Sequence, residues 1–197
     1  MKVSISIVFN SFKKRIIRIA IHELGKWNAL TELSQNASQL LIKYWQSVGI
    51  NFSTSQMQNS SVQSSYPWSS AFISWLFYKA GAKDRFPYAS AHSGYFLKAK
   101  QWRSDPNAPL RGFRITEYAP KVGDLIVYSR QSGKGYDSTG FFPSHGELVI
   151  ETGQGYVKAV GGNVGNSVKL SKYTTDNKGF LTQREQSFFM VIQNNIN

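Results

Sequence analysis

Cysteine is absent from the 197 residues, which excludes disulfide staples, thiolate metal ligands and a thiolate nucleophile, and leaves the redox compartment open. Acidic residues are scarce, 11 Asp and Glu against 23 Lys and Arg, for a formal charge of +12. Such a surplus attracts polyanions (nucleic acid, anionic lipid or acidic cell-wall polymer) without choosing among them. The densest basic cluster, Lys13, Lys14, Arg15 and Arg18, reads first as the solvated face of a helix. No uncharged apolar run approaches the ~20 residues that a bilayer crossing needs, so a soluble protein is expected. The apolar stretch Met1 to Phe9 is followed by Asn10, Phe12 and three basic residues rather than by a small-residue cleavage site, and no signal peptide is read there.

Several chemistries lack their parts. The three histidines, His22, His92 and His145, stand too far apart for a zinc site. No phosphate-cradling glycine loop with a following lysine occurs, and no Gly-x-Ser-x-Gly elbow. No metal or other cofactor is expected. Aromatics beside basic residues, such as Lys98, Lys100, Trp102 and Arg103, are better explained by core packing than by base stacking, so no nucleic-acid partner is expected either.

What the chain does have is oil: 41% apolar and 14% aromatic residues with only 17% charged, the composition of a globule rather than of a disordered chain. Its length suits one domain over residues 1–197, a monomer, with a helical part over 1–50, a surface loop over 51–66 and a core over 67–197. Helical spacing runs from Ser11 to Leu24, with Gly25 as a stop, and again through Leu40, Leu41, Tyr44, Trp45 and Val48 to Gly49. Asn51 to Ser65 is nearly all Ser, Gln, Asn and Thr and reads as a surface loop. Pro67 to Gly81 is apolar on nearly every side and predicts a buried central helix; another helix is predicted over His92 to Trp102. Beyond Pro109 the period changes to short β-branched and aromatic runs: Gly123 to Tyr128, His145 to Glu151, Tyr156 to Val160, Val168 to Leu170 and Phe188 to Ile192. Helices first and antiparallel strands afterwards predict an α+β fold.

Three polar residues stand out. Ser69 lies in the first turn of the buried helix, where the positive end of the helix dipole and free amide donors favour a developing negative charge. The ordinary role of a serine there is to cap the helix, and Ser70 beside it is an equal candidate. His145 begins a strand whose alternation puts it on one face with Glu147 and Val149; a histidine near a carboxylate suits proton transfer. Asn163 sits in the glycine-rich turn Gly161 to Gly165, where asparagine is a common turn former. If His145 is a base, either Asn163 or Glu147 would hold its ring.

Read together, Pro67-Trp68-Ser69-Ser70-Ala71-Phe72 through Ala80-Gly81, Phe86-Pro87-Tyr88, Ala91-His92-Ser93-Gly94-Tyr95, Pro120 to Leu125, Ser144-His145 and Gly161 to Val168 resemble, in the same order, the blocks of the DUF2272 domains. That family in turn is similar to the papain-like NlpC/P60 and CHAP amidases and endopeptidases of bacterial peptidoglycan. There a Trp-Cys-x-x-Phe helix supplies a thiolate, a strand histidine is the base, and a later polar residue orients it. The resemblance implies a papain-like fold with Ser69 in the cysteine's place, His145 as base, and Asn163 as orienting residue with Glu147 as second choice. It further implies Trp68, Ser70, Tyr88, His92 and Ser144 as substrate contacts, with the loops Asn51 to Ser65 and Arg130 to Ser144 walling a groove. A hydroxyl is not ionised beside a helix N-terminus as a thiol is, so such an enzyme would depend on its histidine as serine hydrolases do.

The resemblance thus implies peptidoglycan as substrate. Without a recognised leader, the expected role is an antibacterial effector delivered to the periplasm of a target cell, with an immunity protein as partner. The alternative is a catalytically silent module that binds cell-wall or other anionic polymer.

Overall fold

The computed structural model describes residues 11–197; the apolar stretch Met1 to Phe9, weighed above as a leader, lies outside them. Helix α1 (Phe12–Lys26) is capped by the Ser11 hydroxyl, which accepts from the amide of Lys14, and it buries Phe12, Ile16, Ala20 and Glu23. Gly25 does not stop it. An interior glycine costs about 1 kcal/mol, but the Lys26–Glu23 ion pair at 2.8 Å and the buried Trp27 hold the last turn in place. Helix α2 (Ser38–Gln46) buries Leu41, Tyr44 and Trp45.

The segment expected to be a loop is partly helical. Ser53 and Gln56 form a reciprocal capping box that starts α3 (Thr54–Met57), and the Asn59 side chain accepts from the amides of Ser61 and Val62 to start α4 (Ser60–Ser65). The residue types that argue for a loop are also the best helix caps, and Met57 and Gln63, both buried, anchor the two turns.

Helix α5 (Ser69–Lys79) is buried from Ser69 to Phe77, as its all-round apolar sequence predicts, and it packs against α1 and α2. Its entry is fixed by aromatic stacking: Trp68 lies 4.9 Å from Trp27 and 5.9 Å from Tyr44 between ring centroids. The Trp68 indole donates to Glu32 at 2.9 Å. Helix α6 (His92–Gln101) follows.

Six strands form one antiparallel sheet: β1 (Leu110–Phe113), β2 (Leu125–Ser129), β3 (Ser144–Gly153), β4 (Tyr156–Gly161), β5 (Lys169–Thr174) and β6 (Phe188–Asn194), in the spatial order β1-β6-β2-β3-β4-β5. The fold is α+β. Strand alternation sends Leu125, Val127, Leu148 and Val160 into the core shared with the helices. Ile126, Tyr128, Val149, Val157 and Tyr173 form a second cluster on the opposite face. Buried Asp124 ties α1 to the sheet, accepting from the Lys13 ammonium at 3.2 Å and the Asn194 amide at 3.0 Å. The glycine pair that ends β4 has neighbours too close for side chains: a Cβ at Gly161 would fall 2.7 Å from Glu147 Cγ, and one at Gly162 2.6 Å from Phe72. No helix among the described residues is long and apolar enough to cross a membrane.

Candidate active site

At the start of α5, the backbone of Trp68 takes the cap position and no side chain caps the helix. The serines that follow turn elsewhere. Ser70 Oγ donates to the carbonyl of Ala89 at 2.8 Å, while Ser69 Oγ lies 2.7 Å from Nε2 of His92, the first residue of α6. The other ring nitrogen, Nδ1, contacts the Tyr95 hydroxyl one turn along the same helix. With Nδ1–H donating to the phenol oxygen, Nε2 presents its lone pair to the serine, an order of nucleophile, base and orienting group.

This arrangement corrects one expectation. The imidazole at the Ser69 hydroxyl belongs to His92, foreseen as a substrate contact, and not to His145. The reason is strand alternation. His145, paired with Tyr128, stacks on that ring at 5.0 Å between centroids, on the sheet face away from the helices, and Glu147 accepts from the Tyr173 hydroxyl at 2.8 Å on the same face. Gly146, between them, points at α6: a Cβ there would overlap the Tyr95 hydroxyl and sit 3.0 Å from His92 Nδ1. The glycine therefore lets α6 lie close on β3, and the two imidazoles come to 5.3 Å between centroids.

His145 is fully buried behind that pair. Arg130 Nη2 lies 3.1 Å from its Nδ1. A guanidinium can only donate, so Nδ1 carries the lone pair and the ring proton sits on Nε2, facing Glu147 Oε1 at 3.5 Å. Neither Nε2 of His145 nor Oε2 of Glu147 has a hydrogen-bond partner among the described residues.

Burial decides the charges. It pushes the Glu147 carboxyl up to about 7 against the help of the Tyr173 hydrogen bond. It drives His145 well below the ordinary histidine value, with the neighbouring His92 and Arg130 adding to the effect. The two shifts agree on a neutral pair below about pH 7. His92 is lowered to about 3, by desolvation first and the field of Arg130 second, so its Nε2 is unprotonated throughout the neutral range, and the same burial weakens it as a base. Burial also lifts the Tyr95 phenol well above its usual value, which keeps it a neutral partner.

Ser69 and His92 open on a cavity of about 450 Å³ lined also by Pro67, Ser70, Arg130, Phe142 and Ser144. The loop from Arg130 to Ser144 walls it as expected; Asn51 to Ser65 contributes no lining residue. Of the expected substrate contacts, Ser70, His92 and Ser144 line this cavity. Trp68 is sealed in the aromatic core, and Tyr88 packs against Tyr78 and Phe86 outside the lining. Asn163 has the left-handed backbone of a turn residue, φ 59°, in a turn closed by the Val164 amide on the Ser167 carbonyl. No hydrogen bond among the described residues joins it to His145 or Ser69. A larger depression of about 730 Å³, between α1 and the turn before β5, is lined by no histidine and no carboxylate.

A signal for His92 was present in the sequence: His92 and Tyr95 are three apart on a helix and so share a face. Arg130 has no such local signature.

A family model described as "Uncharacterized protein conserved in bacteria (DUF2272)" matches residues 23–193. No curated protein and no solved structure matches the chain.

Proposed function

The chain belongs to the DUF2272 family, and from that membership and the Ser69 geometry we propose that it is a serine-dependent amide hydrolase acting on bacterial peptidoglycan, with His92 as its base. The observation that carries this reading is the 2.7 Å contact between Ser69 Oγ and His92 Nε2 at the wall of a cavity. Ser69 Oγ attacks the carbonyl carbon of a peptide bond while its proton passes to His92 Nε2. The Nδ1–H of His92 stays on the Tyr95 oxygen and holds the ring in register. The first turn of α5 leaves backbone N–H groups without intrahelical acceptors, and those of Ser69 and Ser70 stabilise the oxyanion. His92 then gives its proton to the departing amine, and water, deprotonated by the same nitrogen, releases the acyl group.

The choice of cell wall rests on three supports. A nucleophile at the head of a buried helix, packed beside an antiparallel sheet, is the plan of the papain-like NlpC/P60 and CHAP enzymes that the sequence blocks resemble. The formal charge of +12 complements acidic wall polymers. The cavity, about 450 Å³, has room for a short peptide segment. An antibacterial effector held in check by an immunity protein is the biological role that fits such an activity.

The test is a fluorophosphonate that reacts with activated serines, followed by digestion of purified sacculi. The proposal expects the adduct on Ser69, its loss in His92→Ala, and new free amines from the sacculi. A folded wild-type protein that takes no label and releases no amines, yet sediments with sacculi, would establish the silent binding module instead.

A further inference from the structure

Strand β5 is one of the two edges of the sheet, and its outer side is closed at both ends but not between them. The Thr175 amide donates to the Gly155 carbonyl, at the start of β4, at 3.0 Å. By antiparallel alternation Tyr173, Ser171 and Lys169 then turn their backbone groups to β4, while Thr174, Lys172 and Leu170 turn theirs outward. Thr174 is covered: its carbonyl accepts from the Thr182 amide at 3.2 Å and its amide donates to the Glu185 carboxylate at 3.3 Å. Ahead of the strand, the carbonyl of Asn166 accepts from the Glu32 amide at 2.8 Å. Among the described residues, no group hydrogen-bonds to the outward amides and carbonyls of Leu170 and Lys172. A second feature meets this bare stretch. The depression of about 730 Å³ opens beside it, walled by Ile21, Leu24 and Leu30 on one side and by Val168 and Leu170 on the other, and Ile21 and Leu170 are 52% and 46% exposed. Unpaired strand backbone beside unfilled apolar surface is what an added strand covers.

We infer that the edge from Leu170 to Lys172 is a docking site for an extended acidic segment of a partner protein, which adds an antiparallel strand to the sheet. Side-chain alternation sets the pattern of that segment. Leu170 pairs with Val160 and Lys172 with Lys158, on the helix side of the sheet, and Lys169 pairs with Gly161, on the opposite face. The partner residue facing Leu170 is apolar and fills the depression between Leu170 and Ile21. Those facing Lys172 and Lys169 are carboxylates, which gives the order acidic, any, apolar, acidic. Charge complementarity selects this occupant over a second copy of the chain: two β5 edges run antiparallel would oppose lysine to lysine, the usual protection of an edge against its own kind.

The test uses the full chain and a fluorescent hexapeptide, Thr-Glu-Thr-Leu-Glu-Thr. Its binding, read by anisotropy, should weaken about tenfold to a hundredfold when the peptide leucine becomes threonine, the range for burying one such side chain. Ile21→Ser and Leu170→Ser, both at exposed positions, should weaken it in the same sense while leaving the urea midpoint close to wild type. A peptide with lysine for both glutamates should not bind, and added salt should weaken the acidic one. Hydrogen exchange gives the backbone readout: the amides of Leu170 and Lys172 exchange fast in the free chain and become protected by the peptide, whereas that of Ser171, already turned to β4, changes little. No binding at millimolar acidic peptide, equal binding of the two charge versions, or protection elsewhere than at these two amides overturns the inference. So does a concentration-dependent dimer in sedimentation that Leu170→Ser abolishes, since a second copy would then hold the edge.

Discussion

Ser69 and His92, twenty-three residues apart, meet at 2.7 Å between the heads of two helices, α5 and α6. Because Nε2 of His92 is the nitrogen in hydrogen-bond reach of the hydroxyl, His92→Ala should slow fluorophosphonate labelling of Ser69 by about a hundred- to ten-thousand-fold, the usual yield of a positioned base. His145→Ala should slow it less. Labelling rates of the two variants under one condition decide between the imidazoles, and a larger loss in His145→Ala would return the base to the sheet.

Tyr95→Phe removes the oxygen that holds Nδ1. Tyr95 is fully buried, so bulk water does not reach the place of its oxygen, and a loss of about 1–3 kcal/mol in stability is expected for the orphaned donor. Labelling of Ser69 should also fall, since the ring is free to turn. Urea unfolding together with the labelling rate checks both; undiminished labelling would mean that the phenol does not orient the ring.

Gly146→Ala tests the close approach of α6 to β3. The added methyl meets the Tyr95 hydroxyl and His92, and overpacking of this kind costs about 1–3 kcal/mol. A midpoint unchanged from wild type would show that the helix yields without strain.

Acidity should act through three buried groups, and their signs differ. His92, ordinarily 6.5 but lowered to about 3 in the fold, binds fewer protons folded than unfolded between those values, so stability drops as the pH falls below 6.5. His145, shifted in the same direction, adds to this. Glu147, ordinarily 4.5 but raised to about 7, is already protonated in the fold and favours it as the pH falls from 7 to 4.5. Two histidines against one carboxyl leave a net loss of stability as the pH falls from 6.5 toward 4.5. Denaturant titrations at pH 5, 6 and 7 should show it, with Glu147→Gln steeper than wild type in that window. A flat wild-type profile would mean that the histidines are not neutral in the fold.

The α+β order, the buried α5 and five of the six strands were legible in the sequence, because long apolar runs and period-two alternation follow directly from burial. Strand β1 was missed: Leu110 to Phe113 is four residues long, contains a glycine, and becomes a strand by pairing with β6. The helical turns α3 and α4 were missed because caps and loops share one vocabulary. At the site, Ser69 was visible from its place in the helix. His92 was named, but its contact with Ser69 was not foreseen, since no local pattern says that two helix heads meet. Alternation put His145 correctly on one face with Glu147, yet could not say which face looks toward the serine.

The sheet order carries a consequence for synthesis. Strand β6, the last among the described residues, lies between β1 and β2 and donates nothing until Phe188 has been made. Until then β2 keeps a bare edge, and the Ser129 amide, adjacent to Arg130, waits for the carbonyl of Ser187. The backbone that leads into the cleft is thus fixed only once β6 has paired, so β2 stays an open edge until a segment distant in sequence arrives.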